Sequence, residues 1–179
     1  QGMAAPDAVV IGAQRRHAQT WEGLRDGLGS RPEARVDPGW NEFDFNGLLR
    51  AHRADPPLGP QVDRASHFRA LREAMLAWQR GEVEGAPESW AVFSARVAAA
   101  AEVARGLGAQ VLVVSSGGAI SELVRQVLGA PPETQIRLQL QMKNAAVTRL
   151  VTARSGLQLH GFNETPQVTA AASAMLTYS

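Results

Sequence analysis

The sequence predicts an α/β protein with three layers, in which helices cover both faces of a mostly parallel β-sheet. Short apolar runs alternate with segments of helical periodicity early in the chain. Residues 111–114 (VLVV) form an unbroken apolar run, which is typical of a strand buried on both faces of a parallel sheet. Strand patterns then cluster late, at 145–152 and 156–160, and indicate some antiparallel pairing.

The stretch 110–124 organises the rest of the chain. After the strand at 111–114 come the small residues Ser115 to Gly118, and apolar residues then recur at helical spacing from Ile120 onward. A strand, a small turn and a helix start bring several backbone N–H groups to the carboxyl edge of a sheet, which suits an anion such as phosphate. Small residues also suit a turn that needs them only for packing, so shape alone leaves both interpretations open.

The other elements follow from periodicity and from turn residues. We predict a strand at 8–12, helices at 15–28, 66–79 and 88–107, a helix from the central turn to Gly129, and a half-exposed strand at 136–142. The remaining segments are predicted to be a connector at 32–39, a loop leading into a short helix at 40–48, a loop at 54–60, and a weakly helical or irregular end at 165–179. If the strand at 136–142 lies at the sheet edge, its apolar face would pair two copies into a homodimer.

Composition excludes several classes of function. The chain has 179 residues, enough for one domain with a real core, and its net charge of +1 provides no broad basic face for nucleic acid. It contains no cysteine, and its histidines show no ligand spacing, so we expect no disulfide, no metal site and no cofactor. No apolar run approaches a membrane span and no signal peptide is visible, which favours a cytoplasmic protein without a membrane partner.

Six blocks of the sequence resemble, in order, the motifs of one family, the histidine phosphatase superfamily or phosphoglycerate mutase-like proteins. The blocks are 9–20 (VVIGAQRRHAQT) for V-x-S-S-P-L-x-R-A-x-Q-T, 41–47 for an acidic N-E-R-x-Y-G or E-x-x-F-G segment, 88–97 for E-S-x-x-x-F-x-x-R-V, 113–120 (VVSSGGAI) for V-V-S-H-G-G-x-I, 144–148 for N-x-x-V-T and 162–168 for N-D-x-x-H-L. The resemblance covers nearly the whole chain. It implies one phosphoglycerate mutase-like domain over 1–179.

The resemblance also implies a chemistry. In that family a histidine of an R-H-G motif on the first strand attacks the phosphoryl group and forms a phosphohistidine, while the histidine of S-H-G and two arginines hold the phosphate oxygens. An acidic residue protonates the leaving group. Carried to this sequence, the resemblance makes Glu42 the general acid and assigns phosphate binding to Arg16, Ser116 and Gly117. The ligand would be a phosphorylated small molecule or a phosphate ion.

The sequence departs from the family where the chemistry is carried. No R-H-G strand follows Gln1, so the family's first strand and first helix either lie upstream and are absent from this chain, or the protein never had them. Ser116 stands at the histidine of S-H-G, where its hydroxyl can bond an oxyanion but brings no imidazole. Gln167 stands at the late histidine. The resemblance implies phosphomonoester hydrolysis or phosphoryl transfer through a phosphohistidine. Because of these departures, we expect this chain to be impaired or inactive in that reaction. The alternative is a pseudo-phosphatase that binds a phosphorylated ligand or a protein partner without turnover.

Other assignments are disfavoured. Residues 16–20 (RHAQT) also resemble R-H-G-Q-T, which would make His17 the nucleophile. The spacing to Glu42 favours the first register, and Ala18 replaces the glycine that lets the backbone approach phosphate, so His17 is expected to be an exposed histidine at a helix start. A serine hydrolase using Ser116 lacks the G-x-S-x-G turn and an Asp/His pair placed to activate the serine. A dinucleotide site lacks G-x-G-x-x-G.

Overall fold

A computed structural model describes residues 5–28, 32–52, 64–166 and 177, which form an α/β fold. Within them the strands are β1 Ala8–Ile11, β2 Ala34–Val36, β3 Val111–Val114, β4 Val147–Ala153 and β5 Gly156–Glu164. The α-helices are α1 Arg15–Leu28, α2 Phe45–Ala51, α3 Arg64–Gln79, α4 Trp90–Arg105, α5 Gly117–Val127 and α6 Glu133–Gln139, and a 3-10 turn covers Pro38–Trp40.

Strand β1 is the centre of a parallel sheet with the order β2-β1-β3. In its register Ile11 pairs with Val36 on one side and with Val114 on the other. The carboxyl ends of all three strands therefore meet at one edge, which is where ligands bind in open α/β sheets. Strands β4 and β5 form a separate antiparallel hairpin.

Successive residues of β1 pack into different cores, because side chains alternate between the two faces of a strand. Val9 and Ile11 belong to a small cluster with Trp21 of α1. Val10 belongs to the larger cluster, which contains Phe93 of α4. Helices thus cover both faces of the sheet, and the predicted three-layer arrangement is confirmed.

Most of the predicted elements are confirmed to within two residues. These are the strands at 8–12 and 111–114, the helices at 15–28, 66–79 and 88–107, the short helix within 40–48, and the helix from the central turn. The late hairpin is also confirmed, but its second strand, predicted at 156–160, extends to Glu164. The segments 1–4 and 54–60 lie outside the described residues, as does most of 165–179.

Two predictions are wrong. Residues 136–142 do not form a strand, because helix α6 covers Glu133–Gln139. Gln135 and Ile136 are both buried, and two adjacent buried residues fit a helix packed on a core better than an alternating strand. The homodimer that depended on this strand loses its basis. The predicted connector at 32–39 contains β2, a strand of three residues that is mostly exposed and too short to give a pattern.

Strand β3 has β1 on one side only. In the part of the chain that the structure describes, no strand pairs with the other edge of β3 or with the outer edge of β4. A cleft of about 1180 Å³ lies between these two edges, and its surface is mainly apolar. Among the described helices, none is both long and apolar enough to cross a membrane.

Candidate active site

The loops after β1 and β3 form the polar end of this cleft. Because Ile11 and Val114 are paired in the sheet, the residues that follow each of them lie side by side at the same edge. The loop after β1 leads into α1 at Arg15, and the loop after β3 leads into α5 at Gly117. Two helix starts, separated by about a hundred residues of sequence, are thus brought together by two strands.

The hydroxyl of Ser116 is the meeting point of these loops. Its Oγ accepts a hydrogen bond from Nε of Arg16 at 2.8 Å and lies 2.7 Å from Nε2 of His17. Ser116 is the residue before helix α5, a position where serine usually caps the helix, yet its side chain makes no capping hydrogen bond. The hydroxyl is instead turned toward the two side chains of α1.

Glu42 takes the capping role that Ser116 leaves. Its Oε2 accepts from the backbone N–H of Gly118 at 2.8 Å, and its Oε1 accepts from the N–H of Phe43 at 3.3 Å. Glycine is required at 118, since a Cβ there would lie 2.8 Å from Cδ of Glu42 and would overlap Oε1. Burial raises the pKa of Glu42 from 4.5 to about 7, although the hydrogen bond from Gly118 opposes the shift. The carboxyl can therefore hold a proton near neutral pH.

Backbone and side-chain contacts fix the Glu42 segment against the loop after β1. Gln14 donates from Nε2 to the carbonyl of Glu42 at 3.3 Å and accepts from its N–H at 3.2 Å. Oδ1 of Asn41 accepts from the N–H of Ala13 at 2.6 Å. Hydrogen bonds thus join the segment of Glu42 to the loop after β1.

Arg96 of α4 holds the same segment from the other side. Its Nη1 donates to the carbonyls of Gly39 and Asn41 at 2.9 and 2.7 Å, and its Nε and Nη2 form a two-point ion pair with Glu88 at 2.8 and 2.7 Å. The guanidinium also lies 4.8 Å from the centre of the Phe93 ring. The block 88–97 therefore holds the residues just before Glu42 in place. Its own side chains do not line the cleft.

His17 is buried, with 2% of its surface exposed, and this corrects the expectation of an exposed histidine at a helix start. Its ring fits because residue 12 is glycine: a Cβ on Gly12 would overlap Nδ1 and would lie 2.6 Å from Cε1. Burial, and then the charge of Arg16, lower the pKa of His17. The imidazole is therefore held mainly neutral inside the fold.

The structure brings all the residues assigned by sequence to one place, since Arg16, His17, Glu42, Ser116 and Gly117 line the same cleft. Their catalytic and binding roles stay predictions. Sequence reasoning missed the contact between His17 and Ser116, although the parallel pairing of the strands before them could have indicated it.

The contact between His17 and Ser116 resembles the Ser-His pair of a serine hydrolase. An imidazole does lie beside Ser116, contrary to expectation, but no carboxylate of the described residues bonds its Nδ1. The third member of a Ser-His-Asp arrangement is therefore missing from this part of the chain. Among the same residues, no group of three His, Cys, Asp or Glu side chains is placed to hold a metal ion.

Solved structures with a similar fold include phosphatases. One is the alpha-ribazole phosphatase from Shigella flexneri, at 19% identity and a TM-score of 0.59, with 89% of this chain and 74% of that chain covered. Another is a mycobacterial glucosyl-3-phosphoglycerate phosphatase with inorganic phosphate, at 23% identity and a TM-score of 0.60, with 92% and 80% covered. The complex of that mycobacterial phosphatase with VO3 matches at 25% identity and a TM-score of 0.57, with 89% and 77% covered.

Among curated proteins, none matches the sequence. A family model does match, and it covers residues 2–165, which is nearly the whole chain. It describes the same family that the six sequence blocks resemble, and the parallel sheet with its flanking helices agrees with the phosphatase structures. The chain belongs to the histidine phosphatase superfamily, branch 1.

Proposed function

We propose that this protein is a histidine phosphatase that acts on phosphate monoesters of small molecules. The observation that carries the proposal is the convergence, in one cleft, of an arginine, a hydroxyl, a helix N-terminus and a carboxyl that holds its proton near neutral pH. The solved relatives named above are phosphatases of phosphorylated small molecules, and one is bound to phosphate, which agrees with this ligand class.

The phosphoryl group would bind at the start of α5. Arg16 reaches this point with a guanidinium, whose planar donors suit phosphate oxygens, and Ser116 adds a hydroxyl. The positive end of the helix dipole lies at Gly117 and favours an anion there. These groups would stabilise the charge that develops on the transferring phosphoryl group.

Glu42 would donate the proton to the leaving oxygen. A general acid must keep its proton at the working pH, and a pKa of about 7 meets this requirement near neutrality. The carboxyl also lies beside the phosphate end, because it accepts from Gly118 in the first turn of α5. Arg96 and Gln14 would act only by holding its segment in place.

The nucleophile would come from a strand upstream of Gln1. We place this strand between β3 and β4, whose facing edges are unpaired among the described residues and border the mainly apolar cleft. A parallel strand next to β3 would end at the same sheet edge as β1 and β3, and its last residues would face Ser116. The similar phosphatase structures are longer than this chain, which covers 74 to 80% of their length.

The test compares the chain from Gln1 with an extended chain that includes the residues encoded upstream. We expect the extended chain to hydrolyse an aryl phosphate and to form an acid-labile phosphoenzyme, and the shorter chain to melt at a lower temperature and to be inactive. Equal melting temperatures would contradict the placement of the strand. An extended chain that neither hydrolyses aryl phosphates nor binds phosphate would overturn the proposed function.

A pseudo-phosphatase is the second candidate, and the serine at position 116 favours it. Removing one preorganised donor from such a site costs about 10²–10³ in kcat. Binding of inorganic phosphate by the extended chain without hydrolysis or phosphoenzyme would support this candidate. A phosphorylated small molecule or a phosphorylated partner would then be bound without turnover.

A further inference from the structure

Among the positions at which the blocks 9–20 and 113–120 depart from the family motifs, three fit one another in size and chemistry. In the alignment of 9–20 and 113–120 given above, Gly12 stands at a serine, His17 at an alanine and Ser116 at a histidine. An imidazole is absent from one loop and present in the other, and the residue that must give way to it is glycine.

The structure brings these three positions into contact. Nε2 of His17 lies 2.7 Å from Oγ of Ser116, and the ring occupies the space that a Cβ on Gly12 would fill. The hydroxyl at 116 is short, so it leaves room for a ring that arrives from α1. A full imidazole at 116 would have to share this buried space with His17.

We propose that His17 takes over the role of the imidazole missing from position 116, and that it acts through the hydroxyl of Ser116. This inference rests on the proposed function, because the ligand is the phosphoryl group that the same cleft would bind. His17 is then a positioning residue, whereas Ser116 is the group that touches phosphate.

The hydrogen-bonding capacity of a hydroxyl explains how the pair would work. The oxygen of serine has two lone pairs and one hydrogen. Arg16 donates to one lone pair, and Nε2–H of His17 donates to the other when the ring is protonated, because the backbone of Gly12 already favours a proton on Nδ1. The hydrogen of Ser116 is then left to point into the cleft, where a phosphoryl oxygen accepts it. A charged acceptor makes this bond stronger than one between neutral groups.

The test returns the imidazole to position 116. In the extended chain, we compare the parent, His17→Ala, Ser116→His and the double variant His17→Ala/Ser116→His by calorimetric titration with inorganic phosphate and by kcat/KM on an aryl phosphate. We expect each single variant to lose about tenfold or more in phosphate affinity, the first because the hydroxyl is no longer oriented and the second because two rings compete for one space. The double variant is expected to recover to within a few fold of the parent.

Rescue separates this role from a structural one, because loss of packing at position 17 would not be repaired by a ring at position 116. Unchanged phosphate affinity in His17→Ala, or a double variant no better than His17→Ala, would overturn the inference. If the parent does not bind phosphate, both this inference and the proposed function fail. If the parent binds phosphate and His17→Ala binds it equally well, only this inference fails. His160→Ala is the matched control, since this exposed histidine of β5 lies elsewhere along the cleft.

Glycine 12 provides a second measurement that does not depend on phosphate. Gly12→Ser should lower the melting temperature of the parent, because its Cβ overlaps the ring of His17. The same substitution made in His17→Ala/Ser116→His should lower it much less. Equal losses in the two backgrounds would show that the imidazole of His17 is not what position 12 accommodates. The melting temperature can be measured even if His17→Ala folds too poorly for titration. In that case His17→Gln, whose side chain keeps an N–H donor, replaces His17→Ala.

Discussion

The backbone N–H of Gly118 donates to Oε2 of Glu42 over 2.8 Å, and the two residues lie 76 positions apart in the sequence. A carboxyl from a distant segment thus caps α5, although a serine stands at the position that usually provides the cap. The exchange leaves the hydroxyl of Ser116 to Arg16 and His17. It also buries the carboxyl, which raises its pKa. One backbone contact therefore influences both the carboxyl of Glu42 and the surroundings of Ser116.

Substitution of Gly118 by alanine should break this arrangement. The new Cβ would lie 2.8 Å from Cδ of Glu42 and 2.9 Å from Cε1 of Phe43, so the acid segment would have to move. We expect a loss of about 1–3 kcal/mol in the free energy of unfolding, measured by urea denaturation. Gly23→Ala is the control: no atom lies within 4 Å of a Cβ there, and alanine favours the α1 helix. If the two variants were equally stable, the close fit at Gly118 would be refuted.

The rate of hydrolysis should depend on the protonation of Glu42. The protonated carboxyl is the proposed acid, and its pKa is about 7 in the ligand-free protein, so kcat/KM of the extended chain is expected to fall as the pH rises through about 7. Glu42→Gln should lower kcat/KM and remove this inflection. The measurement is kcat/KM against pH for both proteins on an aryl phosphate. An inflection that persists in Glu42→Gln would assign it to another group.

The stability of the fold should carry the same signature. The pKa of Glu42 is higher in the folded chain than its ordinary 4.5, so the folded state binds the proton more tightly. Its contribution is fully present below pH 4.5 and is lost as the pH rises through about 7, and it amounts to about 3 kcal/mol. His17 acts in the opposite direction, since burial lowers its pKa. The difference in unfolding free energy between the parent and Glu42→Gln isolates the carboxyl, and a difference that does not change with pH would contradict the burial of an ionisable Glu42.

Arg96 is expected to contribute to stability through geometry rather than charge. Lysine keeps the charge but cannot form the two-point pair with Glu88 while also donating to the carbonyls of Gly39 and Asn41. We expect Arg96→Lys to cost about 2 kcal/mol in chemical denaturation. Arg80→Lys, whose pair with Glu82 is exposed, should change the free energy of unfolding far less. Similar losses in both variants would mean that the acid segment does not depend on this clamp.

Arg16 should determine phosphate affinity. Its alanine variant loses a charged donor at the start of α5, and we expect the Kd for inorganic phosphate to rise about tenfold or more in the extended chain. The control is Arg15→Ala, which removes the same charge from the neighbouring exposed residue. The hydrogen bond to Ser116 comes from Arg16 and is kept in this variant. Calorimetric titration of the two variants side by side distinguishes a specific contact from the general charge of the helix start. Equal increases in the Kd of the two variants would mean that only the general positive charge of the helix start contributes to phosphate binding.

Long periodic segments could be predicted from the sequence, whereas short or compromised ones could not. The helix at 15–28 and the strand at 111–114 have patterns that span their whole length. Strand β2 has only three residues, and its place is fixed by pairing with β1 rather than by its own composition. Residues 136–142 alternate between apolar and polar, which is typical of a strand, but 133–139 form a helix that packs Gln135 and Ile136 against the core.

The site was predictable as a set of residues but not as a set of contacts. The resemblance identified Arg16, Glu42 and Ser116, and all three line the cleft. Nothing local to the sequence indicates that Glu42 caps α5 or that His17 reaches Ser116, because each contact joins segments 76 or 99 positions apart. The missing information is the order of strands in the sheet.

That strand order has a consequence for how the protein acquires its binding site. Arg16 and Ser116 are 100 residues apart, and they meet only when β1 and β3 pair around a loop that contains α1 to α4. Closing such a long loop costs chain entropy, and folds dominated by contacts between distant residues form slowly. A partly folded chain in which the helices have packed but the strands have not paired would have no phosphate site. Phosphate should therefore bind only the completed fold, and its saturation would report the fraction of molecules that have finished folding.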